Sequence, residues 1–106
     1  MIIPRTYGKY WYVYLLRCSD GSLYCGISNR LFYRIDQHNK GKGAKYTRSR
    51  LPVKLVWCRL VGSKSSALKE ESRIKGLSRS QKLSLIKGLV LCTVESYERE
   101  DDSLEM

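Results

Sequence analysis

No apolar run in this chain approaches the roughly 20 residues that a bilayer-spanning helix requires. The opening residues, Met1-Ile2-Ile3-Pro4-Arg5, lead into aromatic, strand-like sequence rather than the apolar region of a signal peptide. A cytoplasmic protein is therefore expected. Metal-cage chemistry is equally short of parts. Cys18, Cys25, Cys58 and Cys92 form no C-x-x-C pair, and the chain holds 1 histidine, which argues against a zinc site. Cys18, Cys25 and Cys58 fall in strand-like runs, where cysteine packs as a small hydrophobe, so all four are expected to be reduced. Acidic residues are scarce as well, except at one end. Residues 95–106 hold Glu95, Glu98, Glu100, Asp101, Asp102 and Glu105 against Arg99 alone. The whole chain carries +10, and residues 1–94, with 19 basic and 4 acidic side chains, carry +15. Such a body attracts polyanions and binds phosphates in a salt-dependent way.

A length of 106 residues suits one domain with one core. Residues 1–9 form a lead-in, residues 10–94 the domain, and residues 95–106 an acidic tail too polar to fold. Residues 10–18 are aromatic and β-branched and predict a strand; Ser19-Asp20-Gly21-Ser22 predicts a turn, and residues 23–27 the returning strand. Ser28 or Asn29 is the expected cap of a helix reaching about Asn39. A basic stretch follows over residues 44–51, with room for one helical turn. Pro52 introduces a third strand, Val53 to Val61, with Leu55, Trp57, Arg59 and Val61 on one side and Lys54, Val56, Cys58 and Leu60 on the other. Ser63 or Ser65 starts a helix to about Gly76, and Ser78 caps another to about Gly88. Residues 89–94 extend that helix or pack as an irregular strand. The order β-β-α-β-α-α predicts an α+β fold, a small antiparallel sheet with helices packed against it.

Four residue types with chemistry to offer fall at telling places. On the first helix, Leu31, Ile35 and His38 share one stripe, with Arg34 at its edge and Arg30 one turn earlier. A histidine in an apolar stripe faces the protein or a cleft. On the next helix, Ala67, Leu68 and Ile74 define an apolar side from which Glu71 projects, with Glu70 nearer the edge. A carboxylate aimed at a core is costly unless it is paired or binds a metal. Glu71 therefore makes an ion pair with Arg34, or it holds a hydrated divalent ion such as Mg²⁺. Tyr14 and Tyr24 share a face only if the hairpin loop has three residues, Ser19-Asp20-Gly21. That loop sets Tyr14 opposite Gly26 and Tyr24 opposite Leu16, with Gly21 in the left-handed conformation.

Taken in order, Tyr12-Val13-Tyr14, Tyr24-Cys25-Gly26-Ile27-Ser28, Arg34, Gln37-His38-Asn39-Lys40-Gly41, Gly43-Ala44-Lys45-Tyr46-Thr47 and the run Ala67 to Lys75 with Glu71 resemble the GIY-YIG nuclease superfamily, in particular its small standalone members. The resemblance implies a three-stranded antiparallel sheet flanked by helices, and metal-dependent hydrolysis of DNA phosphodiester bonds on nicked, flapped or branched DNA in repair or recombination. It implies that Glu71 binds Mg²⁺ or Mn²⁺, that Arg34 stabilises charge on the scissile phosphate, and that Tyr14 and Tyr24 line the site. It gives His38 the part of an assisting group that accepts a proton. Two positions depart from the motif: Tyr12 stands in the place of its first glycine, and Cys25 fills the middle of its second element.

The alternative is a nucleic-acid-binding domain with little or no cleavage, dependent on a protein partner. A carboxylate beside a phosphate argues for chemistry, since a binder has no use for it. Arg30 and the cluster Lys40, Lys42, Lys45, Tyr46, Arg48 and Arg50 are the candidates for gripping nucleic acid, the null case being a solvated basic loop. The acidic tail either solubilises the protein or folds back over this cluster.

Overall fold

The computed structural model describes residues 10–89. The expectations for residues 1–9, for residues 90–94, for the acidic tail and for Cys92 lie outside the described residues. Strand β1 (Tyr12–Arg17) pairs antiparallel with β2 (Leu23–Ser28) on one side and with β3 (Lys54–Leu60) on the other, giving a three-stranded sheet of order β2-β1-β3. Helix α1 (Leu31–Asn39) and the four-residue α2 (Lys45–Arg48) lie between β2 and β3, and α3 (Lys64–Lys75) and α4 (Arg79–Leu89) follow. The expected α+β architecture is present, with α2 as the helical turn in the basic stretch.

The hairpin has the three-residue loop. Cys18 N donates to Ser22 O at 2.9 Å, Gly21 takes φ +85°, Tyr14 faces Gly26 and Leu16 faces Tyr24. Residues i and i+2 share a face of a strand, so Tyr12, Tyr14, Leu16 and Tyr24 pack together, joined by Leu31 and Ile35 of α1. Val13, Leu15 and Cys25 point the other way and meet Ala67 and Ile74 of α3 and Ile86 of α4. The domain is thus three layers, with α1 and α2 on one side of the sheet and α3 and α4 on the other.

Three local expectations are corrected. The alternation predicted for β3 breaks. Leu15 pairs with Trp57 but Leu16 pairs with Leu55, so Val56 is an extra residue in a β-bulge. Leu55 therefore joins Cys58 on the tyrosine face, while Val56 and Trp57 both pack on the opposite face. Leu68 is 47% exposed and not part of the apolar side of α3. The sheet-facing row is buried Ala67 and Ile74 with half-buried Glu71 between them, spaced i, i+4 and i+7, and Leu68 sits about 100° round from it. Neither Ser28 nor Asn29 caps α1: its first helical turn has no side-chain cap, and the Ser28 hydroxyl instead accepts from Arg30 N at 2.9 Å. The other two caps are as expected. Ser63 Oγ accepts from Ser66 N, and Ser78 with Gln81 makes a reciprocal capping box.

Two clamps hold the layer that carries the candidate residues. The Asn39 side chain donates to Val53 O and accepts from Val53 N, tying the end of α1 to the start of β3 as a strand would. Arg50 Nε donates to Asp20 Oδ2 at 3.0 Å, and Ser19 N donates to Arg50 O, tying the hairpin loop to the segment after α2.

Candidate active site

Strand register puts both tyrosines under α1, and helical period puts His38 over them. The His38 side chain is 0% exposed. Its Nε2 lies 3.1 Å from the Tyr14 hydroxyl, and its ring meets Tyr24 edge-on at 5.3 Å between centroids. Nδ1 lies 2.8 Å from Thr47 Oγ1. Two glycines make this approach possible. A Cβ on Gly26 would come 2.6 Å from the Tyr14 hydroxyl, and one on Gly43 would come 2.3 Å from His38 Nδ1. The glycine of the second motif element is therefore a matter of space for the tyrosine opposite it.

Arg34, half-buried at the edge of α1, lies close enough to the Tyr14 hydroxyl to act on it electrostatically. Burial pushes the Tyr14 phenol well above its ordinary value, and the neighbouring Tyr24 adds to this while Arg34 opposes it. Tyr14 is thus a neutral donor at rest. Burial first, and the Arg34 charge second, push the His38 imidazole down to about 4. It is neutral at physiological pH and able to accept.

Glu71 approaches the edge strand β2 from the opposite layer. It sits on α3 between Ala67 and Ile74, and α3 packs chiefly against the edge strand β2. Tyr24 on that strand feels Lys75 and Glu71 from α3 and Arg34 from α1, although burial still dominates and raises its phenol. Tyr24 thus lies within electrostatic reach of charges on both helical layers. Among the described residues no ion pair joins Glu71 to Arg34. Glu71 pairs with Lys75 at 3.3 Å, and its side chain is 19% exposed, so solvent reaches it. Glu70 differs. Both its oxygens are held by Arg73, at 2.9 and 2.7 Å, and Arg59 adds a contact at 2.5 Å. Of the two adjacent carboxylates, Glu71 is the one left to do other work.

The remaining candidates line this edge unevenly. Tyr46 on α2 stacks on Tyr24 at 6.1 Å between centroids, and the Arg50 guanidinium lies over the Tyr46 ring at 3.9 Å. Lys42, Lys45 and Arg48 are exposed, Lys40 pairs with Asp36 at 2.8 Å, and Arg30 lies over the Tyr33 ring at 4.1 Å. Among the described residues no group of three or more His, Cys, Asp or Glu side chains is placed to cage a metal. The donor chemistry suits a hard ion held by one carboxylate oxygen and waters. Cys18, Cys25 and Cys58 are free and buried, and burial pushes the Cys25 and Cys58 thiols up to about 12, so neither acts as a thiolate. The sequence offered no role for Thr47, whose one threonine hydroxyl in a basic turn carries no periodic signal.

A pH dependence follows from His38. In the unfolded chain its ordinary value is about 6.5; in the folded protein it is about 4, among Tyr14, Tyr24, Arg34 and Thr47. The stability this contributes is complete above the unfolded value and is lost as pH falls towards 4, because only the unfolded chain takes up the proton there. At about 1.4 kcal/mol per pKa unit, the loss is about 3 kcal/mol. Urea midpoints between pH 7 and pH 4 measure it, and His38→Gln is expected to flatten the slope across this window. Equal slopes in both proteins would show that His38 is not buried neutral.

The family model for the GIY-YIG catalytic domain matches residues 10–84. A UPF0213 protein of Vibrio cholerae is 51% identical over 80 residues, which cover 74% of this chain and 79% of that one. A UPF0213 protein of Syntrophus aciditrophicus is 54% identical over 77 residues, covering 72% and 88%. The solution NMR structure of a protein from E. faecalis superposes with a TM-score of 0.56 at 38% identity, covering 80% of this chain and 91% of that one. Among the described residues no helix is long and apolar enough to cross a membrane.

Proposed function

This chain belongs to the GIY-YIG family, and from that premise we propose that it is a divalent-metal-dependent endonuclease cutting nicked, flapped or branched DNA in cytoplasmic repair or recombination. What supports the reading is the family match together with the charges acting on Tyr24, Arg34 from α1 and Glu71 from α3. A cation suited to phosphate and a solvent-accessible carboxylate are thus within electrostatic reach of one residue of the edge strand.

Glu71 is the residue that would hold the ion, through one carboxylate oxygen. When bound, Mg²⁺ or Mn²⁺ there supplies Lewis-acid stabilisation of charge on the phosphate and the leaving oxygen. The chain does the rest. Arg34 donates its planar fork to phosphate oxygens. The Tyr14 oxygen takes a proton from the attacking water while its own proton passes to His38 Nε2, 3.1 Å away. Tyr24, braced by Tyr46, forms the wall between the two layers. Arg30, Lys42, Lys45, Arg48 and the outer face of Arg50 grip the backbone, with Lys40 and Tyr46 at their margin, and the +15 of residues 1–94 draws DNA in.

The test is incubation with single-stranded, duplex, nicked, flapped and branched DNA in Mg²⁺ or Mn²⁺. Cleavage of a discontinuous or branched substrate, lost in Arg34→Ala while binding persists, is the expected result. Binding without cleavage of every substrate by the unaltered protein would replace this reading with that of a binding domain.

A further inference from the structure

We propose that Thr47 is a positioning residue of this site: its hydroxyl holds His38 with the proton on Nδ1, so that Nε2 faces Tyr14 with an open lone pair. The inference rests on the nuclease reading for its purpose, but its geometry stands apart from any activity. Thr47 is 0% exposed, and Oγ1 touches two groups, His38 Nδ1 at 2.8 Å and Ala44 O at 2.9 Å. A carbonyl oxygen can only accept, so the single hydroxyl hydrogen of Thr47 goes to Ala44. Towards His38 the hydroxyl is left with lone pairs alone, and Nδ1 must donate.

A neutral imidazole carries one proton. With that proton on Nδ1, Nε2 accepts from the Tyr14 hydroxyl 3.1 Å away. The result is a buried chain of one polarity: Tyr14 O–H to His38, His38 Nδ1–H to Thr47, Thr47 O–H to Ala44 O. The other tautomer would present Nε2–H to the Tyr14 oxygen, which would then accept, and His38 could take no proton from Tyr14. The backbone fixes Thr47 for this task. Thr47 N also donates to Ala44 O, at 3.1 Å, at the start of α2, so the short helix and the side-chain bond share one acceptor.

Because the chain has 1 histidine, long-range ¹H–¹⁵N spectra of the labelled full-length protein read its tautomer without assignment. The expected unaltered spectrum at neutral pH has Nδ1 protonated and Nε2 bare. Thr47→Ser should preserve it. Thr47→Val, which keeps the shape but offers no lone pair, should move the proton towards Nε2 and lower kcat by about 10²-fold at unchanged KM. Nε2–H in the unaltered protein overturns the proposal, and that measurement does not depend on any variant folding. An unchanged tautomer in folded Thr47→Val overturns it too. Nδ1–H in a protein that cuts none of the DNA panel supports the positioning and overturns the nuclease reading instead.

Discussion

Glu71→Gln is expected to lower metal-supported DNA cleavage by about 10³-fold while leaving the fold intact. Glutamine keeps the side chain's size in the row between Ala67 and Ile74 and removes only its charge. The contact given up is a loose pair with Lys75 at 3.3 Å, with Lys75 more than half exposed. Such a pair is worth about 0.3–0.5 kcal/mol, so thermal unfolding should move by no more than a few degrees. DNA binding without metal should persist or tighten, since one negative charge leaves the phosphate site. Glu70→Gln should do the reverse. It disrupts the contacts with Arg73 and Arg59 and costs stability of about 1 kcal/mol, yet spares cleavage. Calorimetry and cleavage on the two neighbouring variants thus give opposite patterns. If Glu70→Gln is the inactive one, or if Glu71→Gln cleaves normally, the metal site is elsewhere.

That contrast explains which parts of the molecule could be read in advance. Local rules settled the hairpin. One loop length alone puts Tyr14 and Tyr24 on a common face, and Gly21 permits it. Helical period settled His38, because Leu31 and Ile35 leave the stripe no other direction. Glu71 was visible as a carboxylate at a core-facing position, but the ion pair with Arg34 that its placement suggested does not form: the two lie on helices on opposite sides of the sheet, and Glu71 pairs with Lys75. Which strand stands at the edge beside both helices is a property of the whole chain. The β3 bulge escaped for a similar reason. Leu55-Val56-Trp57-Cys58 is apolar throughout, so no polar residue marks where the alternation slips. Thr47 and Arg50 lay in a basic segment whose charge pointed to nucleic acid or solvent, not to packing. One is buried against His38, and the other caps an aromatic stack.

The three layers also account for the chemistry being where it is. The tyrosine face is sealed by α1 and α2, which desolvates Tyr14 and His38 and keeps both neutral. The carboxylate comes from the other layer at a rim that water reaches. Buried, neutral Tyr14 and His38 thus lie on one face of the sheet, and a carboxylate open to water on the other.

Gly43→Ala is expected to be the most damaging small substitution in the described region. The added Cβ would lie 2.3 Å from His38 Nδ1, 2.7 Å from its Cγ and 2.8 Å from its Cα. Ring and backbone are both fixed there: His38 is 0% exposed, bonded at each nitrogen, and followed by Asn39, which clamps Val53. No flexible end can swing aside, so either the loop between α1 and α2 or the imidazole must move. Overpacking of this kind costs about 3 kcal/mol, equivalent to a fall of about 12–24 °C in Tm for a domain of this size. Gly76→Ala is the matched control. Its φ of −79° is helical and its nearest neighbour, Arg73 O, stands at an ordinary 3.5 Å. Loss of unfolded-state freedom should raise stability there by about 0.4–1 kcal/mol. Differential scanning calorimetry separates the two signs, and the His38 tautomer in any folded fraction of Gly43→Ala shows whether the displaced ring has lost Thr47. A Gly43→Ala protein as stable as the parent would mean that this loop is not packed on His38 and that the dry relay from Tyr14 is not built as described.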